Sequence, residues 1–135
     1  MPAETAYLSN ATILYLLPEI TLLAVATLTY VGGSIFRASS LWSWVAAGGL
    51  LATSAALWGA DAKAVAVGPL VSDAFSIYVR WLVLAVSLLF VLLTARADDD
   101  EHAAERVGSI LITTVGLMLI AGARELLLLF VGLEL

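Results

Sequence analysis

Three ionisable side chains stand inside long apolar stretches of this 135-residue sequence: Glu19, Arg80 and Glu134. Such a group at membrane depth is costly, so it indicates a proton or ion path unless a structural partner explains it. Glu134 is the first candidate, because it follows Glu125 by nine residues and would lie about 13–14 Å deeper along a helix, near the middle of a bilayer. A carboxylate suits proton transfer, since burial favours its neutral form and a nearby cation favours its charged form. The structural alternative places Glu134 near a frayed, hydrated chain end.

Arg80 is the second candidate, and it lies about 10 Å into its apolar segment, counted from Asp73. In a functional role, it faces the other helices and is the electrostatic partner of a carboxylate such as Glu134. In a structural role, it snorkels to the nearer interface or forms a structural ion pair. Asp73 and Arg80 are two helical turns apart, which is too far for a direct pair along one helix.

Glu19 is the third candidate, and it directly follows Pro18. Proline is favoured at the first position of a helix, and an acidic residue is favoured in the first turn. The pair therefore predicts a helix start. The functional alternative places Glu19 on a proton path or at a contact with another subunit.

Four apolar segments must position these side chains, and each is about 17–26 residues long, near the roughly 20 residues that span a hydrocarbon core. Lipid excludes unpaired backbone groups, so we predict α-helices. Residues after Arg124 begin a fifth helix of about half that length. The sequence thus predicts an all-α, polytopic transmembrane bundle in one unit, 1–135, with four full spanning helices plus the first half of a fifth. The predicted helices are 11–36, 41–59, 73–95, 107–123 and 125–135.

The polar segments between the helices predict short loops. Ser72 and Asp73 are a predicted cap of the third helix. The acidic run from Asp98 to Glu101 is interpreted as a solvated loop, with a cation or partner site as the alternative. Gly48 and Gly49 offer a small surface for close helix contact. The positive residues place the N-terminus outside; one side carries Arg37, Arg96 and Arg106, and the other carries Lys63 and Arg124.

Composition excludes several classes of protein. Apolar residues make up 62% and charged residues 13%, against about 45–50% and 25% in soluble domains, which argues against a soluble enzyme. The net charge of −5 with six Lys and Arg argues against nucleic-acid binding. With no Cys and a single His102, neither disulfides nor Cys- or His-based metal sites are expected. Gly32-Gly33 lacks the strand and helix of a dinucleotide site. We therefore expect this chain to bind no metal and no cofactor.

Three motifs together resemble one family. The first is Leu17-Pro18-Glu19-Ile20, and the second is Asp73-Ala74-Phe75 followed by Arg80. The third and most specific is Leu-Phe-Val-Gly-Leu-Glu-Leu, from Leu129 to Leu135. On these motifs the chain resembles the subunit N family of the proton-pumping NADH-quinone oxidoreductase (respiratory complex I), which is one of its antiporter-like membrane subunits.

The resemblance implies a function in proton translocation across the cell inner membrane. NADH oxidation and quinone reduction would occur on other subunits, which would bind NADH, FMN, iron–sulfur clusters and quinone. Other membrane subunits and the lipid bilayer would be the partners, and Glu134 would match the glutamate implicated in proton translocation. The match covers only the front part of the family's length, so we expect an N-terminal fragment that is inactive alone. The alternatives are a cation/proton antiporter subunit of the related family and a small, non-transporting membrane scaffold.

Overall fold

The computed structural model describes residues 2–36, 39–60, 74–96, 102–123 and 126–135. These residues form five α-helices, and the predicted all-α fold is confirmed. Four stretches are long and apolar enough to cross a membrane: Ile13–Ile35, Leu41–Gly59, Ala74–Arg96 and Ala103–Gly122. The chain is thus a multi-pass membrane protein with a short fifth helix. The helices are α1 (Pro2–Ile35), α2 (Ser39–Ala60), α3 (Ala74–Arg96), α4 (Ala103–Gly122) and α5 (Leu126–Glu134).

The start of α1 differs from the prediction. The helix begins at Pro2 rather than near residue 11, and Pro18 lies inside it. The prediction that Pro18 and Glu19 start a helix is therefore wrong. An interior proline removes a backbone hydrogen bond, but membrane helices tolerate it where neighbouring groups satisfy the freed backbone.

The other helix bounds lie close to the predicted ones, except that α4 begins at Ala103 rather than near Val107. Its first turn contains Glu105, where the positive end of the helix dipole favours an acidic side chain. The predicted cap at Ser72 and Asp73, and the acidic run from Asp98 to Glu101, lie outside the described residues.

Helix α4 is central, because it packs against each of the other four helices. Half of its 20 residues are buried. Burial of apolar side chains around it stabilises the bundle through packing. The buried apolar cluster consists of Leu22, Ala26, Ala46, Ala47, Leu50, Leu57, Val83, Leu84, Val91, Val107, Leu111, Val115 and Met118.

The outside of the bundle is also apolar. Large apolar side chains are exposed on every helix, for example Leu28, Leu51, Leu93, Leu117 and Leu133. In water such a surface would be an aggregation liability, whereas lipid solvates it. The outward faces therefore agree with a membrane location.

Helices α1 and α2 form a hairpin with a close contact. A side chain on Gly49 would overlap Val25 of α1, so this glycine allows the two helices to approach. The indole nitrogen of Trp42 donates a hydrogen bond of 3.0 Å to the carbonyl of Phe36 at the hairpin end. Gly48, which was predicted to share the small contact surface with Gly49, faces open space instead.

Candidate functional site

Two buried charges meet in the membrane-spanning part of the bundle. Nη2 of Arg80 on α3 donates a hydrogen bond to Oε1 of Glu19 on α1, and the two groups form an ion pair. Arg80 is 2% exposed and Glu19 is 3% exposed. A buried charge requires a partner, and here each residue supplies it for the other.

The depth of the two residues explains why they meet. Two successive reversals make α1 and α3 run in the same direction. In the sequence, the apolar segment that contains Glu19 begins near residue 11, and the segment that contains Arg80 begins near residue 73. The two side chains therefore lie eight and seven residues into their segments, about 10–12 Å along each helix.

Arg80 lies on the buried face of α3. The buried positions recur at three- and four-residue spacing, which is the pattern of a single helix face. Three of the buried residues on this face are polar, namely Ser76, Arg80 and Ser87, and the other three are apolar. The full set is Ser76, Arg80, Val83, Leu84, Ser87 and Val91.

The ion pair connects two helices that do not pack on each other. Among the described residues, α1 packs against α2 and α4, and α3 also packs against α2 and α4, but α1 and α3 share no helix–helix contact. Glu19 and Arg80 have side chains long enough to cross this gap. The pair is therefore a direct link between α1 and α3 through side chains.

Arg80 has a second partner on α1. Its guanidinium carbon lies 4.5 Å from the ring centroid of Tyr15. Tyr15 and Glu19 are four residues apart, so they share one helix face. A desolvated cation–π contact of this kind contributes about 2 kcal/mol. The guanidinium is thus held between an aromatic ring and a carboxylate.

Two polar atoms of the pair have no hydrogen-bond partner among the described residues. They are Oε2 of Glu19 and Nε of Arg80, and both are buried. Burying an unpaired polar atom costs about 1–3 kcal/mol. The opposite charges of the pair therefore neutralise each other, but two of its hydrogen-bonding atoms have no partner among the described residues.

A second polar contact joins α3 to α4. The hydroxyls of Ser87 and Thr114 lie 2.6 Å apart and share a hydrogen bond. Thr114 also donates to the carbonyl of Ile110, at 2.7 Å. Thr113 instead donates to the carbonyl of Ser109 on its own helix, at 2.9 Å.

Glu134 lies apart from this ion pair. It is the last residue of α5 and is exposed, and α5 packs against α4. That packing depends on two glycines, because a Cβ on Gly132 would lie 2.9 Å from the carbonyl oxygen of Gly116. Backbone atoms of α4 and α5 are therefore nearly in contact two residues before Glu134.

The structure brings two of the three candidate residues together. Arg80 pairs with Glu19, whereas the sequence predicted either a carboxylate such as Glu134 as its functional partner or a structural ion pair with no named partner. The missed signal was the equal depth of two opposite charges in two helices of the same direction. Their roles in proton transfer stay predictions. Among the described residues, no group of three or more His, Cys, Asp or Glu could hold a metal ion.

Comparison with known proteins identifies relatives. The chain is 32% identical over 132 residues to NADH-quinone oxidoreductase subunit N of Anaeromyxobacter, which covers 90% of this chain. It is 32% identical over 127 residues to NAD(P)H-quinone oxidoreductase subunit 2 of Thermosynechococcus vestitus, covering 88% of this chain. The chain is thus similar in sequence to subunit N over most of its length. It spans about a quarter of the length of these relatives, 25% and 24% respectively.

Only comparisons of individual sequences support the similarity to subunit N. A comparable subunit 2 from Nostoc is 31% identical over 88% of this chain. No protein-family profile matches the chain, and no solved structure matches it. The names of the relatives describe subunits of an oxidoreductase complex, which agrees with the resemblance to subunit N and with the membrane-spanning helices.

Proposed function

We propose that this chain is part of a membrane subunit that translocates protons in an NADH-quinone oxidoreductase. The observation that carries the proposal is 32% identity to subunit N over 90% of the chain. NADH oxidation and quinone reduction would take place on other subunits, with their NADH, FMN, iron–sulfur clusters and quinone. The partners of this chain would be other membrane subunits of the complex.

Glu134 is the proposed proton carrier. It lies eight residues into α5, about 12 Å along the helix axis from Leu126. This distance supports an ionisable side chain at membrane depth, and the side chain lies on a side of α5 that the described helices leave exposed. A carboxyl group there can exchange a proton when the charge around it changes.

The experiment is a substitution in the complete subunit within its assembled complex. Glu134→Gln keeps the size of the side chain but cannot carry a proton. We expect proton uptake by inverted membrane vesicles, per NADH oxidised, to fall. Glu105→Gln is the matched control, because Glu105 is exposed in the first turn of α4. Pumping equal to wild type in Glu134→Gln would remove Glu134 from the mechanism.

The same vesicles discriminate the alternatives. Sodium-dependent proton exchange without NADH oxidation would favour the antiporter subunit, and assembly without any transport would favour the scaffold. Retained NADH–quinone activity with proton uptake supports the proposal.

The proposed location is the cell inner membrane, with the N-terminus outside. The chain has no Cys, so a single introduced cysteine reports its own position. His102 is exposed just before α4. We expect His102→Cys to react with a membrane-impermeant maleimide from the cytoplasmic side only. Labelling from the outer side would reverse the orientation.

A further inference from the structure

Glu19 has one carboxylate oxygen in use and one unused. Oε1 accepts the hydrogen bond from Arg80, whereas Oε2 is buried without a hydrogen-bond partner among the described residues. A proton can therefore add to Oε2 without displacing the hydrogen bond at Oε1. The unpaired atom marks the place where this buried group can take up a proton.

Arg80 keeps a partner when Glu19 is neutral. An arginine side chain stays charged in proteins, so it needs stabilisation in both protonation states of the carboxyl. The ring of Tyr15, 4.5 Å from the guanidinium carbon, supplies it through a cation–π contact. The site thus accommodates a charged or a neutral Glu19 without leaving a buried cation unpaired.

Few other ionisable groups face Glu19. Helix α2, which packs on α1, carries no Asp, Glu, Lys, Arg, His or Tyr from Ser39 to Ala60. Helix α5 packs against α4 and not against α1. Arg80 is therefore the charged group that faces Glu19 in the described part of the chain. The remaining ionisable side chains of the described α1, α3, α4 and α5 surfaces are exposed: Tyr30, Tyr78, Arg96, Glu105, Arg106 and Glu134.

The depth of the pair favours exchange with water. At about 10–12 Å from the start of the apolar segments of α1 and α3, Glu19 lies nearer to one surface of a hydrocarbon core about 30 Å thick. A proton therefore has a short distance to travel from the nearer aqueous surface. The other ends of these apolar segments, near residues 36 and 95, are about 23–26 Å away along the helices.

We propose that Glu19 and Arg80, together with the ring of Tyr15, form a proton-binding site in this half of the membrane. A proton adds to Oε2 and forms an O–H bond. The donor is hydronium, which becomes water, or water, which becomes hydroxide. No electrons are transferred. The charge of the site rises by one. This site is separate from Glu134 and does not depend on the proposed oxidoreductase function.

Infrared difference spectroscopy of the 135-residue chain in phosphatidylcholine vesicles tests the proposal directly. Acidification should produce a C=O band of a neutral carboxylic acid that shifts in D₂O. The band should be lost in Glu19→Gln and kept in Glu105→Gln, the matched control. An identical set of bands in wild type and Glu19→Gln at every pH would overturn the proposal.

Two further variants keep the test decisive if Glu19→Gln fails to insert. Glu19→Asp retains a carboxyl, so its band should persist at a changed frequency, and an unchanged band would show that it arises elsewhere. Tyr15→Leu should lower the ratio of neutral to charged Glu19 about fivefold at a fixed pH, because the cation–π contact stabilises Arg80 most when no carboxylate charge faces it. Tyr15→Phe keeps the ring and should preserve the ratio, and equal effects of both Tyr15 variants would contradict the role of the ring.

The infrared experiment and the pumping experiment test the two proposals separately, so that either proposal can be refuted without the other. Absence of a Glu19 band from the wild-type chain, with normal assembly of the complete subunit into an oxidoreductase, would refute the proton site and leave the proposed function standing. A clear Glu19 band in a chain whose complete subunit shows no oxidoreductase function would do the reverse.

Discussion

Replacement of both members of the ion pair by apolar residues should cost far less than replacement of one. Glu19→Leu leaves Arg80, 2% exposed, as an uncompensated buried cation, and such a loss costs about 3–5 kcal/mol. The ring of Tyr15 offsets about 2 kcal/mol of this. We therefore expect Glu19→Leu to lower the free energy of unfolding by about 1–3 kcal/mol.

The reciprocal change, Arg80→Met, leaves Glu19 without its cation, but that carboxyl can neutralise itself by taking up a proton. Its expected cost is about 2 kcal/mol, below the full penalty for an unpaired buried charge. The double variant carries two apolar side chains and no buried charge. Because replacing a buried ion pair by apolar residues is often neutral, its expected cost is under about 1 kcal/mol.

The assay is reversible unfolding of the chain in mixed detergent micelles with increasing dodecyl sulfate, followed by circular dichroism. The edge-to-face contact of Trp58 on α2 with Trp81 on α3, with ring centroids 6.1 Å apart, gives a second, local signal through tryptophan fluorescence. Glu105→Leu is the surface control and should change stability by less than about 0.5 kcal/mol. A double variant whose loss equals the sum of the two single losses would refute the reasoning, since it would mean that the charges do not interact.

Two packing predictions use the same assay. Gly132→Ala should destabilise the bundle by about 1–3 kcal/mol, because its Cβ would lie 2.9 Å from the Gly116 carbonyl oxygen. Gly48→Ala is the control and should be neutral or stabilising, because a Cβ at Gly48 meets open space. Equal losses of stability in the two variants would contradict the close α4–α5 contact. Ser87→Ala should cost about 0.6 kcal/mol, the average for a hydrogen bond between membrane helices, because Ser87 bonds α4 at 2.6 Å. Thr113→Ala, whose hydroxyl bonds its own helix, should cost less, and the reverse order would argue against the interhelical bond.

The helices were predictable because lipid imposes their length. An apolar run of about 20 residues forms a spanning α-helix in a bilayer, because only a helix pairs all of its own backbone groups. The predicted α2 and α3 therefore lie within a few residues of their observed bounds. The start of α1 was not, because proline and an acidic residue are also start signals. In α1 the acidic residue instead compensates a cation on another helix.

The pairing of Glu19 with Arg80 was harder to predict for a different reason. Each residue was considered along its own helix, or against the carboxylate of the most specific motif, Glu134. The contact depends on the arrangement of α1 and α3 around α2 and α4, and apolar composition does not encode which helices are neighbours. Equal depth in helices of one direction was the available clue. The position of Ser87 beside Thr114 also required the bundle.

In cross-section, the first four helices form a rhombus. The short diagonal joins α2 to α4, which are in direct contact, and the long diagonal joins α1 to α3, which are not. The four sides are packed contacts as well, so the sides and the short diagonal together fix the length of the long diagonal, and the ion pair of Glu19 with Arg80 spans that diagonal without setting it. A change of charge at Glu19 would consequently alter the electrostatic field between α1 and α3, while the packed contacts keep the spacing of all four helices.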